Sequence, residues 1–183
     1  MLRRILTSPL IALSSLALML LGATPAVAAN ETVLYYDDGQ AAEYTSAVSS
    51  AVDVWNSAVD NVRLEPVPDG QHAEILIIAD DDWPRAHLGP VRPGGQVTVW
   101  MGRQGTAEGY DAVRIAANEL GHSLGLPDAK LGPCSSLMSG SSAGVDCTSA
   151  EPDDSERSRV ESGYGGGSAG QRDADGGILV DRA

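Results

Sequence analysis

The chain has 183 residues, with 25 acidic side chains against 12 Lys or Arg, a net charge of −13. Such an acidic balance argues against nucleic acid or an anionic membrane as partner, because both are bound through clustered basic charge. The length fits one domain with a modest core rather than two.

Met1–Ala28 carries Arg3 and Arg4, an apolar run from Leu16 to Leu21 and a small-residue end at Ala26-Val27-Ala28. This is the pattern of a secretory signal peptide, with cleavage after Ala28 or Ala29. A membrane anchor is the structural alternative, but Ser14, Ser15, Gly22 and Pro25 bound a run too short to span a bilayer. Its removal leaves about 155 residues and takes two arginines with it, so the charge falls from −13 to about −15. The stretch from there to Thr32 is too short for an inhibitory pro-domain, so none is expected.

Thr32–Tyr36 alternates and is rich in Val, Leu and Tyr, which predicts an opening strand. From Gln40 to Val59 the residues Tyr44, Val48, Ala51, Val52, Trp55 and Val59 recur at three- and four-residue spacing, which predicts an amphipathic helix lying against a sheet. Val62–Val67, Ala73–Ala79 and Gln96–Met101 read as three further strands. Between the last two, Asp80 to Pro90 is rich in breakers and reads as a long loop. Its acid triplet, Asp80-Asp81-Asp82, reads as solvated charge rather than a calcium site, and His72 and His87 as loop or surface residues. A second helix is predicted from about Asp111, a capping residue, to Leu124, with Val113, Ala116, Ala117, Leu120 and Leu124 facing the core. Gly125 ends it. Cys134 and Cys147, in a chain bound for an oxidising compartment, are expected to pair. Asp153–Gly163 predicts a short helix, and 165–183 a disordered tail rich in Gly and Asp.

Chemistry concentrates in Asn118-Glu119-Leu120-Gly121-His122-Ser123-Leu124-Gly125-Leu126-Pro127-Asp128. Positions 118 and 122 are one helical turn apart and share a face, with Glu119 beside them. Two imidazoles at this spacing can grip Zn²⁺, with the intervening Glu as general base and a third ligand after a glycine turn.

The stretch resembles the elongated zinc motif of the snapalysins, small secreted bacterial neutral proteases related to the metzincins, whose third ligand is Asp. Gly132-Pro133-Cys134-Ser135-Ser136-Leu137-Met138-Ser139-Gly140 and Cys147-Thr148 extend the match. The resemblance implies an α+β, metzincin-like domain over about 29–164, a mixed sheet packed on helices with the active-site helix at about 111–124. It implies zinc held by His122 and Asp128, Glu119 as general base, Met138 in a Met-turn beneath the metal, a Cys134–Cys147 disulfide and a structural calcium at Asp111. The family's first ligand is His, and here Asn118 stands in its place. Asn offers zinc only a neutral amide oxygen, so a weakened site is expected. Where some members carry a Tyr two residues after the Asp ligand, Lys130 stands, and it reads as solvated.

Two functions follow. One is a secreted, monomeric zinc metalloendopeptidase that cleaves internal peptide bonds of protein substrates. The alternative is a catalytically inactive homologue that keeps the cleft as an extracellular peptide-binding surface, an edge strand pairing with an extended ligand.

Overall fold

The structure, a computed structural model, describes residues 31–165 and 177–180, so the signal segment lies outside it. Among the described residues six strands form one mixed sheet: β1 (Thr32–Gln40), β2 (Val62–Pro66), β3 (Ile75–Asp80), β4 (Arg85–His87), β5 (Val97–Gly102) and β6 (Ile178–Val180). Their spatial order is β2-β1-β3-β5-β4-β6. The first four in that order are mutually parallel, and β4 runs antiparallel to both β5 and β6.

Among the same described residues four α-helices join them: α1 (Thr45–Ala58), the short α2 (Arg103–Ala107), α3 (Ala112–Ser123) and α4 (Asp154–Tyr164). The face predicted for α1 is the one it buries: Tyr44, Val48, Ala51, Val52, Trp55 and Val59 are all in the core. Helix α1 packs on β2 and α3, and α3 in turn on β4 and β5, so the two helices cover the sheet side by side. Trp55, fully buried, donates its indole N–H to the Ala117 carbonyl at 2.9 Å and ties α1 to α3. Gly121 allows this approach, because a Cβ there would stand 2.8 Å from Met138 Sδ and 3.0 Å from the Trp55 ring.

Two expectations are corrected. The stretch Asp80–Pro90 is not all loop, since Arg85–His87 forms β4. Its three residues have little intrinsic strand preference, and pairing with β5 supplies what the local sequence lacks. Likewise Ile178–Val180, expected within a disordered tail, pairs with β4 as β6. Three consecutive aliphatic residues can join an edge even when their flanks are Gly and Asp.

Cys134 and Cys147 are disulfide-bonded, as expected. Closing a loop of this length stabilises the fold by roughly 3 kcal/mol in the chain-entropy model. Cys147→Ser is therefore expected to lower unfolding stability by about that amount, measured by denaturant unfolding as a fall in midpoint. An unchanged midpoint would show that the Cys134–Cys147 loop is held by its other contacts.

Candidate active site

Helix α3 carries the site and is buried over most of its length, every residue from Arg114 to Ser123 lying in the interior and only Ala112 and Val113 half-exposed. Asp111 caps it, Oδ1 accepting from the Arg114 N–H at 2.8 Å. At the other end Gly125 takes φ +100°, a left-handed turn that carries the chain back toward Asp128.

His122 is fully buried, and its Nδ1 lies 2.7 Å from the Leu126 carbonyl. A carbonyl only accepts, so Nδ1–H donates and Nε2 is left with its lone pair. That lone pair faces Asp128 Oδ1 at 3.5 Å, and neither atom has a hydrogen-bond partner. Burial raises the Asp128 pKa, and the nearby Lys130 ammonium pulls it down. The charge of Lys130 thus acts on Asp128.

Asn118 lies one turn before His122 and is 1% exposed. Its Nδ2 donates to the Leu137 carbonyl at 3.1 Å, which fixes the amide's orientation and turns Oδ1 the other way. Asn118 Oδ1 is buried with no donor. Glu119 is fully buried on the same helix. The structure therefore gathers Asn118, Glu119, His122 and Asp128 about the C-terminal half of α3 and the turn that follows. Met138 sits beneath, in a 3-10 turn over Leu137–Ala143, with Sδ 3.9 Å from Asn118 Nδ2.

His72 is exposed and contacts the Gly95 carbonyl, while His87 accepts from the Thr98 N–H and leans on Trp100. Two members of the acid triplet are engaged with arginines, Asp80 with Arg85 and Asp81 with Arg103. Among the described residues no group of three or more His, Cys, Asp or Glu is placed to hold a metal.

Two residues that the motif did not indicate organise the floor of the site. Arg114 is buried and donates to the carbonyls of Cys134, Ser136, Leu137 and Ser149 and to Ser139 Oγ. Glu156, on α4, accepts from Ser136 Oγ at 2.7 Å, Met138 N at 2.8 Å, Leu137 N at 3.1 Å and Asp153 N at 2.7 Å. The signal for Glu156 was the spacing Asp153-x-x-Glu156, a capping box that starts α4. No sequence pattern marks Arg114.

Comparison with known proteins bears out the family resemblance. Residues 31–167 match the model of the Streptomyces extracellular neutral proteinase (M7) family. The extracellular small neutral protease of Streptomyces coelicolor is 38% identical over 134 residues, 73% of this chain and 60% of that protein. The protein of the same name from Streptomyces caespitosus is 36% identical over 132 residues, 72% of this chain and 96% of its own length. The chain thus spans about three fifths of the longer Streptomyces coelicolor relative. A solved zinc-protease, high choriolytic enzyme 1 from Oryzias latipes, is a distant likeness, with a TM-score of 0.40 and 20% identity over 52% of this chain and 44% of that one. With the match running from β1 through α4, the chain belongs to the Streptomyces extracellular neutral proteinase (M7) family.

Proposed function

We propose that the protein is an exported, monomeric zinc metalloendopeptidase, its catalytic domain at about 29–164, cleaving internal peptide bonds of protein substrates. The observation that carries this reading is the facing of His122 Nε2 and Asp128 Oδ1. At 3.5 Å, two buried acceptors make no good hydrogen bond with each other and gain from a shared cation. Neighbouring ligand atoms of a tetrahedral zinc with bonds of about 2.1 Å lie about 3.4 Å apart, so the pair fits the ion. Asn118 Oδ1, buried and without a donor, fits as a third donor of the wrong softness.

When bound, zinc supplies a Lewis acid that polarises the scissile carbonyl and acidifies water. Leu126 holds the His122 ring in the tautomer that leaves Nε2 available. Glu119 removes the water's proton and returns it to the leaving amine. Met138, held by Glu156, forms the Met-turn under these residues. The relatives' name, extracellular small neutral protease, supports export and a protein substrate. The large exposed apolar side chains among the described residues, Leu131, Val145 and Ile178, are scattered, which supports a monomer. Calcium at Asp111 rests on resemblance, as one of its oxygens already caps α3.

Asn118 favours the second reading, an inactive homologue that binds peptides. The deciding experiment is zinc titration of the purified protein, with hydrolysis of unfolded casein followed with and without chelator. The expected result is cleavage that rises with added zinc to one ion per chain and stops with chelator. A folded protein that takes up no zinc and cleaves nothing at any zinc concentration belongs to the second reading.

A further inference from the structure

A pocket of about 380 Å³ opens beside Asp128, between the turn that follows α3, the segment leading to Met138 and the first turns of α4. Pro127, Ala129 and Pro133 give it exposed apolar walls, and Arg159, on α4, stands exposed in its lining. Asp128 also faces His122, so the pocket adjoins the candidate active site.

The charged groups of this pocket are not alike. Glu156 is buried and takes four donors, three of them backbone N–H groups. Asp153 accepts from the Ser155 and Glu156 N–H groups at the start of α4, where the positive end of the helix offsets its charge. Asp128 turns Oδ1 to His122 Nε2. All three carboxylates are therefore committed within the fold. Arg159 differs, for among the described residues it has no hydrogen bond or ion pair. The other described arginines are each held by a carboxylate, a carbonyl or an aromatic ring. In a chain with 25 acidic residues to 12 Lys or Arg, position rather than scarcity of partners leaves this guanidinium free.

We propose that this pocket is a subsite for an acidic side chain, Glu or Asp, of the polypeptide substrate, and that Arg159 is the residue that selects it. A guanidinium presents its donors as a planar fork that matches a carboxylate, and such charge-assisted bonds are about twice as strong as neutral ones. The apolar walls take the methylene groups that carry the carboxylate. The chain's net charge of −13 opposes an acidic ligand at a distance, but salt screens that repulsion beyond about 8 Å at physiological ionic strength. Within the pocket the uncommitted guanidinium therefore decides. This inference rests on the protease reading for the presence of a polypeptide in the cleft, whereas recognition of the carboxylate needs no metal.

The test has a binding arm and a cleavage arm, each with Arg159→Gln, which keeps a good helix former at an exposed position and so leaves the fold intact. In the first, the chelator-treated protein is titrated with N-acetyl-glutamate methylamide and with its glutamine counterpart, and the Arg159 Nε–H resonance is followed by NMR. The glutamate compound is expected to shift that resonance with a Kd about tenfold lower than the glutamine compound, and the difference is expected to shrink as salt is raised. In the second, casein fragments made by the zinc-loaded protein are sequenced by mass spectrometry. Acidic residues are expected at one fixed distance from the cleaved bond, about tenfold above their background. Arg159→Gln is expected to remove that preference and Arg159→Lys to keep part of it. An Arg159 resonance that responds equally to both compounds, or to neither, overturns the proposal. So does a cleavage profile unchanged in Arg159→Gln, or one whose acidic preference is lost in Lys130→Met instead. Selective binding of the glutamate compound by a protein that cleaves nothing with zinc present counts against the protease reading alone. Cleavage with no acidic preference counts against the Arg159 subsite alone.

Discussion

Asn118→His is expected to raise zinc affinity and casein hydrolysis together, by at least 10–100-fold, the range typical of losing a mere supporting partner of a metal ligand. The replaced group is the weak member of the set, a neutral amide oxygen where zinc favours nitrogen and sulfur. The neighbourhood suits the ring. The Leu137 carbonyl that now accepts from Asn118 Nδ2 at 3.1 Å can accept from a histidine Nδ1–H, as Leu126 does from His122. A small pocket lined in part by Asn118, Ile115 and Gly140 adjoins the position. Zinc affinity is read by competition with a chromophoric chelator, and activity by casein hydrolysis. Adding Glu119→Ala to the same chain is expected to abolish hydrolysis and leave zinc affinity raised, because Glu119 moves a proton and holds no metal in this scheme. A histidine variant with unchanged zinc affinity would remove Asn118 as the cause of a weak site.

How far the sequence revealed this arrangement depended on how local the cause was. The buried face of α1 and the extent of α3 were legible because helical periodicity and the flanking Asp111 and Gly125 are features of the segment itself. The grouping of the candidate residues was legible for the same reason, since Asn118, Glu119 and His122 share one helix and Asp128 follows the turn at Gly125, whereas the roles proposed for them came from the family resemblance. Strand β4 was hidden because Arg85-Ala86-His87 becomes a strand only through β5, far along the chain. Strand β6 was hidden because a Gly- and Asp-rich context outweighed three aliphatic residues. Arg114 was invisible as an organiser, since its partners are carbonyls and a serine hydroxyl, and a backbone acceptor leaves no mark in sequence.

Glu156 shows how a residue outside the motif can govern the motif's geometry. Its carboxylate is 94% buried and accepts from three backbone N–H groups and one hydroxyl, two of those N–H groups belonging to Leu137 and Met138. Met138 in turn gives its carbonyl to Ala129 N at 2.8 Å, directly after Asp128. Glu156→Ala leaves these donors unsatisfied in a buried place, where each costs about 1–3 kcal/mol, less whatever water or relaxation recovers. The expected loss of stability is about 3–5 kcal/mol, measured by chemical denaturation, which places it above the disulfide. Glu156→Gln keeps one acceptor oxygen but turns an NH2 toward the remaining donors, so it is expected to recover only part of the loss. A role confined to capping α4 would make both variants cost about 1 kcal/mol, the usual scale for a lost cap. A role in positioning Asp128 through Met138 predicts in addition that Glu156→Gln, where still folded, binds zinc more weakly than the parent chain. Unchanged zinc affinity in that folded variant would confine Glu156 to stability.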